Sequence, residues 1–136
     1  MTQRLALIAH DNKKVDLVAW ATFNRETLAR FTLVATRRTA RLLEDKVGLV
    51  VEELLSGPEG GDAQIAALVA TKSVDVVFFF VDPLSAQPHD PDIRALLRVC
   101  NVHNVPVAAN VATADLIIAA LAPCSDVRQP ARGEPR

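Results

Sequence analysis

The sequence predicts an α/β domain: a three-layer, doubly wound, mostly parallel sheet flanked by helices. Three observations predict it. Short runs rich in Val, Ile, Leu and Phe lack the apolar–polar alternation of half-exposed strands, as expected of parallel strands buried on both faces. Segments with apolar residues at helical spacing separate those runs. Strand then helix recurs four or five times, which calls for right-handed crossovers that lay helices on both faces of the sheet.

The first strand is read over residues 4–9 (RLALIA), followed by a helix with Val15, Val18 and Ala19 on its buried stripe and Asp11 as N-cap. Residues 32–35 form the second strand, and Leu42, Leu43 and Val47 mark the next helix. Residues 49–51 offer a short additional strand just before 52–55. Asp62 stands where it caps a third helix carrying Ile65, Leu68 and Val69, and residues 74–80 (VDVVFFF) follow as a strand. Asp90 or Asp92 caps a fourth helix with Ile93, Leu96, Leu97 and Cys100. Residues 105–108 form the last strand, and Thr113 caps the last helix, with Leu116, Ile117 and Leu121.

The chain's 136 residues suffice for one domain with a real core and not for two. The domain is expected to span residues 1–121. Residues 122–136, rich in Pro, Arg, Ser, Gln and Gly without periodic apolar positions, read as a flexible tail or an arm ordered by a neighbouring subunit. No apolar run approaches the roughly 20 residues of a membrane span, and no secretion signal is read, so a cytoplasmic protein is expected. Cys100 and Cys124 lack metal-site or disulfide-framework spacing. A net charge of −1, five Phe, one Trp and no Tyr argue against a nucleic-acid platform, which needs a basic face with stacking rings.

In such a sheet the ligand crevice lies beyond the carboxyl ends of the strands. The polar residues concentrate in the loops that begin there: 10–14 (HDNKK), 36–39 (TRRT), 56–62 (SGPEGGD), and the stretch from Asp82 through His89 to Asp92. Three glycines among residues 57–61 let the backbone approach an anion, although Gly-Pro and Gly-Gly also make ordinary turns. Asp62 serves either as a cap or as a general base. His89, among prolines and acids, is a surface residue or a polarising imidazole, and His10 carries the same two readings. His103 falls towards the opposite edge and is discounted. Position at a loop mouth singles out Lys14, Arg37 and Arg38 among the cations. The residues by themselves give an anion-binding domain with acid–base candidates and choose no reaction.

Taken together, Ala9-His10-Asp11 with Lys14, residues 54–62 (LLSGPEGGD) with Gln64, 78–84 (FFFVDPL), 87–92 (QPHDPD), 95–98 (ALLR), and 105–108 (VPVA) with 110–115 resemble the methylglyoxal synthase family in order and spacing over residues 4–120. The resemblance implies conversion of dihydroxyacetone phosphate to methylglyoxal and inorganic phosphate without metal or organic cofactor, in a homohexamer inhibited by phosphate. It implies Asp62 as the proton-abstracting base and His89 as the group polarising the carbonyl. His10, Asp82 and Asp92 match further active-site positions, and Lys14, Thr36, Thr39, Ser56 and Gly57 match the phosphate cradle.

One loop departs from the family. Its usual A-T-G-T-T-G is here 35–40, ATRRTA. If the glycine positions required positive φ, the replacements would store about 1 to 3 kcal/mol of strain or force a rebuilt path. Arg38 offers a bidentate grip on phosphate in place of the missing threonine hydroxyl. Ala109 replaces a usual threonine, and Arg128 or Arg132 stands loosely where relatives carry a phosphate-sensing arginine. Two function classes follow: an active lyase, or a non-catalytic phosphate sensor or oligomeric scaffold in which that loop serves binding alone.

Overall fold

β1 (Arg4–Ala9) runs through the middle of a five-stranded parallel sheet ordered β3-β2-β1-β4-β5, with β2 Thr32–Ala35, β3 Glu52–Glu53, β4 Val76–Phe80 and β5 Val107–Ala108. The computed structural model describes residues 3–84 and 93–122. The expected caps Asp90 and Asp92, the candidate His89, Cys124 and the tail from 123 onward lie outside the described residues. Around the sheet pack α1 (Lys14–Phe23), α2 (Arg25–Leu28), α3 (Arg37–Lys46), α4 (Gly61–Ala70), α5 (Ile93–Val102) and α6 (Val111–Leu121).

The two-residue side-chain period of a strand divides the core in two. Leu5, Leu7, Leu33, Ala35, Phe78 and Phe80 meet Leu17, Trp20, Leu43, Ala114 and Ile118, from α1, α3 and α6, on one face. Ala6, Ile8, Val34, Val77 and Phe79 meet Ile65, Val69, Leu96 and Cys100, from α4 and α5, on the other. This is the expected three-layer, doubly wound arrangement. Burial there pushes the Cys100 thiol pKa up from its ordinary value.

Two helical stripes keep part of the expectation, with Val18, Ile117 and Leu121 packed against the core, but are centred on other residues. In α1 the buried set is Leu17, Trp20 and Ala21, while Val15 is 78% exposed. The indole sets the phase, because its ring packs against Phe78 and Phe80 at centroid distances of 5.0 and 5.5 Å. In α6 the buried residues are Ala114 and Ile118, and Leu116 is 74% exposed.

The strands are shorter than the apolar runs because helix ends claim their first residues. Gly48 and Leu49 donate to Leu43 O and close α3, so the added strand over 49–51 does not form; pairing comes at Glu52–Glu53. Ser73 N still bonds Leu68 O after α4, and Val105 N bonds Cys100 O after α5. The caps differ too. Asp11 begins a three-residue 3-10 turn (Asp11–Lys13), Asp62 is the second residue of α4 behind an N-cap at Gly60, and α6 is capped by Asn110, whose Oδ1 accepts from Thr113 N at 2.9 Å.

Candidate active site

The crossovers leave β1 in opposite directions: towards β2 and β3 first, then back to β4 and β5. The crevice beyond the carboxyl ends of β1 and β4 is therefore the point where ligands settle in sheets of this kind. His10 follows β1 and Asp82 follows β4, and the ladder between them continues as His10 N donating to Phe80 O at 3.0 Å.

His10 is 5% exposed, with its ring edge-on to Phe79 at 5.2 Å. Its Nδ1 accepts the main-chain N–H of Asp82 at 2.9 Å. Nδ1 is thereby held as an acceptor, and a neutral ring carries its proton on Nε2, so the imidazole is built to donate from Nε2. The Asp82 carboxylate is fixed at both oxygens: Oδ1 accepts from Leu84 N at 3.0 Å and Oδ2 from Asn12 Nδ2 at 2.9 Å. No motif in the sequence singles out Asn12; only the fold brings its amide across from the first loop to the fourth.

Lys14 lies beside this pair, its ammonium partly buried and bonded to Ala9 O at 2.9 Å and Asp11 Oδ1 at 3.1 Å. Arg38 approaches Asp11 Oδ2 at 3.8 Å with a side chain 69% exposed.

The third component is made of backbone. Thr36 precedes α3 in an extended conformation, and no side chain caps that helix. The first-turn N–H groups of an α-helix have no partner within the helix; that of Arg37 donates to Leu55 O at 3.4 Å, and the start turns the positive end of the helix dipole outward. Thr36 and Thr39 beneath this start are buried, with hydroxyls 3.5 Å apart. Opposite it, Ser56 leads into a 3-10 turn (Gly57–Glu59), and α4 starts without a side-chain cap from Gly60 at φ +106°. A Cβ on Gly61 would lie 1.9 Å from Leu55 O, so only glycine lets α4 begin this close to the preceding chain. Asp62 follows, partly buried in the first turn of α4. Gln64 Oε1 accepts from Leu55 N at 2.8 Å and pins the loop from behind.

The altered 35–40 loop is unstrained. Arg37, Arg38 and Ala40 are helical residues of α3, and the only non-glycine residues with positive φ among those described are Lys72 and Asn104. Arg37 turns sideways to Glu53 at 3.3 Å and Glu59 at 3.1 Å.

His10, Asp82, Lys14, Thr36, Arg38, Thr39, Ser56, Gly57 and Asp62 thus all stand at one edge of the sheet. His89 and Asp92 lie outside the described residues. His103 follows α5 at the opposite edge. Among the described residues no three His, Cys, Asp or Glu side chains gather in the manner of a metal site. A groove of about 560 Å³ between α1 and α6, bordered by Trp20, Phe23, Asp115 and Ile118, is separate from these loops.

The chain is similar in sequence and fold to known proteins of one family. The family model for the MGS-like domain matches residues 16–109. A methylglyoxal synthase of Cupriavidus pinatubonensis is 58% identical over 118 residues, covering 87% of this chain and 91% of that protein. One from Clostridium botulinum is 53% identical over 115 residues, 85% of this chain and 97% of its own. The crystal structure of methylglyoxal synthase from Elizabethkingia anophelis superposes with a TM-score of 0.84 at 44% identity, covering 86% of this chain and 77% of that one.

Proposed function

The chain belongs to the methylglyoxal synthase family, and on that footing we propose that it is a carbon–oxygen lyase converting dihydroxyacetone phosphate to methylglyoxal and inorganic phosphate. The observation that carries this reading is the convergence, on one sheet edge, of Asp62 with two uncapped helix starts, α3 and α4.

In this reading the phosphate group lies between the start of α3 and the turn around Gly57. Main-chain N–H groups, the hydroxyls of Thr36 and Thr39, that of Ser56 once it turns from Glu59, and the charges of Lys14 and Arg38 hold it there. Asp62 removes a proton from the hydroxyl-bearing carbon. The electron pair moves into the carbonyl, and charge develops on an enediolate oxygen that His89 and the Nε2–H of His10 stabilise. The enediolate then pushes out the phosphate with its bridging oxygen, and the resulting enol becomes methylglyoxal by taking a proton at carbon. Asp82 and Asp92 orient the substrate and set the protonation of the acid–base pair. Phosphate, as product, competes for the cradle and inhibits.

Arg37 and Arg38 contact carboxylates of the chain's own loops, so the sensor and scaffold alternatives draw no support from them. The homohexamer is what membership of the family implies, and the exposed apolar side chains Val15, Phe23 and Leu116 on α1 and α6 are available to a contact between subunits. No helix of the described residues is long and apolar enough to cross a membrane, and a phosphorylated-triose substrate fits a cytoplasmic enzyme.

The test is release of methylglyoxal and phosphate in equal amounts from dihydroxyacetone phosphate. Asp62→Asn is expected to lower kcat by about 10³-fold or more while retaining phosphate binding. Phosphate binding by the unaltered protein without any turnover overturns the proposal.

A further inference from the structure

Arg37 occupies the first position of α3 and has its hydrogen-bonding groups committed across the gap to the other phosphate loop. Its main-chain N–H donates to Leu55 O at 3.4 Å. Nε donates to Glu53 Oε2 at 3.3 Å and a terminal nitrogen to Glu59 Oε1 at 3.1 Å. Glu53 is held a second time by Arg41, through two contacts at 3.2 and 3.3 Å. Glu59 in turn accepts the hydroxyl of Ser56 at 3.0 Å.

We propose that Arg37 is a positioning residue: a strap that fixes the distance between the N-terminus of α3 and the turn at residues 56–60, with Glu53 and Glu59 as its anchors. This rests on the phosphate-cradle reading above. The chemistry of the cradle lies in N–H groups on two separate segments, and their affinity for an anion depends on how well their separation is set before the anion arrives. One planar guanidinium spanning two carboxylates on the far segment sets that separation in a way a glycine could not. Its charge is matched by those carboxylates, so it acts on phosphate through the loops. Glu59 adds a second effect by holding the Ser56 hydroxyl within the same network.

The strap makes a prediction opposite to that of simple charge. Removing the negative charge of Glu59 near an anion site should strengthen phosphate binding if Glu59 only repels. It should weaken binding if Glu59 anchors Arg37. Calorimetric titration with inorganic phosphate, with thermal melts to verify folding, is run on the unaltered protein, Arg37→Gln, Glu59→Gln and the double variant. Each single variant is expected to weaken phosphate binding by about three- to fivefold, the size of a half-exposed ion-pair network. The double variant should be no weaker than the worse single, and Arg37→Lys should fall between the unaltered protein and Arg37→Gln. In steady-state assays KM should rise with kcat held within about twofold.

Tighter or unchanged binding in Glu59→Gln overturns the strap and makes Arg37 a direct phosphate ligand or a bystander. Additive losses in the double variant overturn it as well. Failure of the unaltered protein to bind phosphate removes the cradle reading and the strap with it, whereas normal binding in both single variants removes the strap alone.

Discussion

The two flanks of the crevice are built by different means. On the flank at the ends of β1 and β4, the contributing groups are side chains locked by main-chain bonds. His10 is buried and its Nδ1 tied to Asp82 N, while both oxygens of Asp82 are occupied. On the flank between α3 and α4, both helices start without a side-chain cap, the groups proposed to bind are largely main-chain N–H donors, and the long side chains Arg37, Arg38 and Glu59 point to other loop residues. A flank whose chemistry resides in side chains tolerates no change of residue type. A flank whose chemistry resides in backbone tolerates new side chains as long as the backbone path is kept. That difference explains how ATRRTA can occupy the loop proposed to bind phosphate: both arginines are ordinary helix residues and the path needs no positive φ there.

The comparison is sharpened most by changing the backbone flank where its path has no slack. Gly61→Ala puts a methyl group 1.9 Å from Leu55 O and 2.9 Å from the Thr36 side chain, so α4 must move away from both. A loss of about 3 kcal/mol is expected, from overpacking against main chain. That lowers Tm by roughly 10 °C and weakens phosphate binding with it. A melt of Gly61→Ala superimposable on the unaltered protein would break the distinction, because the backbone path would then be as replaceable as the arginines.

The side-chain flank is tested at His10 by separating its two nitrogens. Asn places an oxygen near the position of Nδ1 and so keeps an acceptor for Asp82 N, but it carries nothing where Nε2 stands. His10→Asn is expected to lose about tenfold in kcat/KM with little change in Tm. His10→Leu removes the acceptor too and leaves the Asp82 N–H unpaired, at an additional cost of about 1 to 2 kcal/mol in stability. Equal melting of the two variants would show that the Nδ1 contact does not hold this flank together.

Much of this arrangement was legible in the sequence, and the parts that were not have a common physical origin. The sheet and its flanking helices followed from apolar runs and periodicity, because burial on two faces leaves a composition that survives small errors of register. Helix phase in α1 was not legible: Val15, Val18 and Ala19 fit the template as well as Leu17, Trp20 and Ala21, and only the contact of Trp20 with Phe78 and Phe80 decides between them. Asp11, Asp62 and Thr113 looked like caps because local patterns favour those residues at helix starts. The fold instead starts α1 directly after the 3-10 turn and α4 behind Gly60, both without a side-chain cap. Loop motifs identified Lys14, Ser56 and Asp82, whereas Asn12 and Glu59 act through partners that sequence separation or loop geometry conceals: Asp82 is 70 positions from Asn12, and Arg37 reaches Glu59 across two strand ends.

The smallest expected effect belongs to Arg38, and it tests the comparison at its most permissive point. Its guanidinium is 3.8 Å from Asp11 and its side chain 69% exposed, while Asp11 is held more closely by Lys14 at 3.1 Å. An exposed charge at the mouth of an anion site contributes by long-range attraction, which water and salt screen strongly. Arg38→Gln is therefore expected to raise KM by about two- to threefold at low ionic strength and by less at about 0.5 M salt, with kcat unchanged. A bidentate grip on phosphate behaves differently. Removing two charge-assisted hydrogen bonds from a desolvated anion costs about tenfold or more and persists in salt. A salt-resistant loss of that size in Arg38→Gln would mean that the arginine swings in to take the place of the absent threonine hydroxyl, and that this flank too depends on a particular side chain.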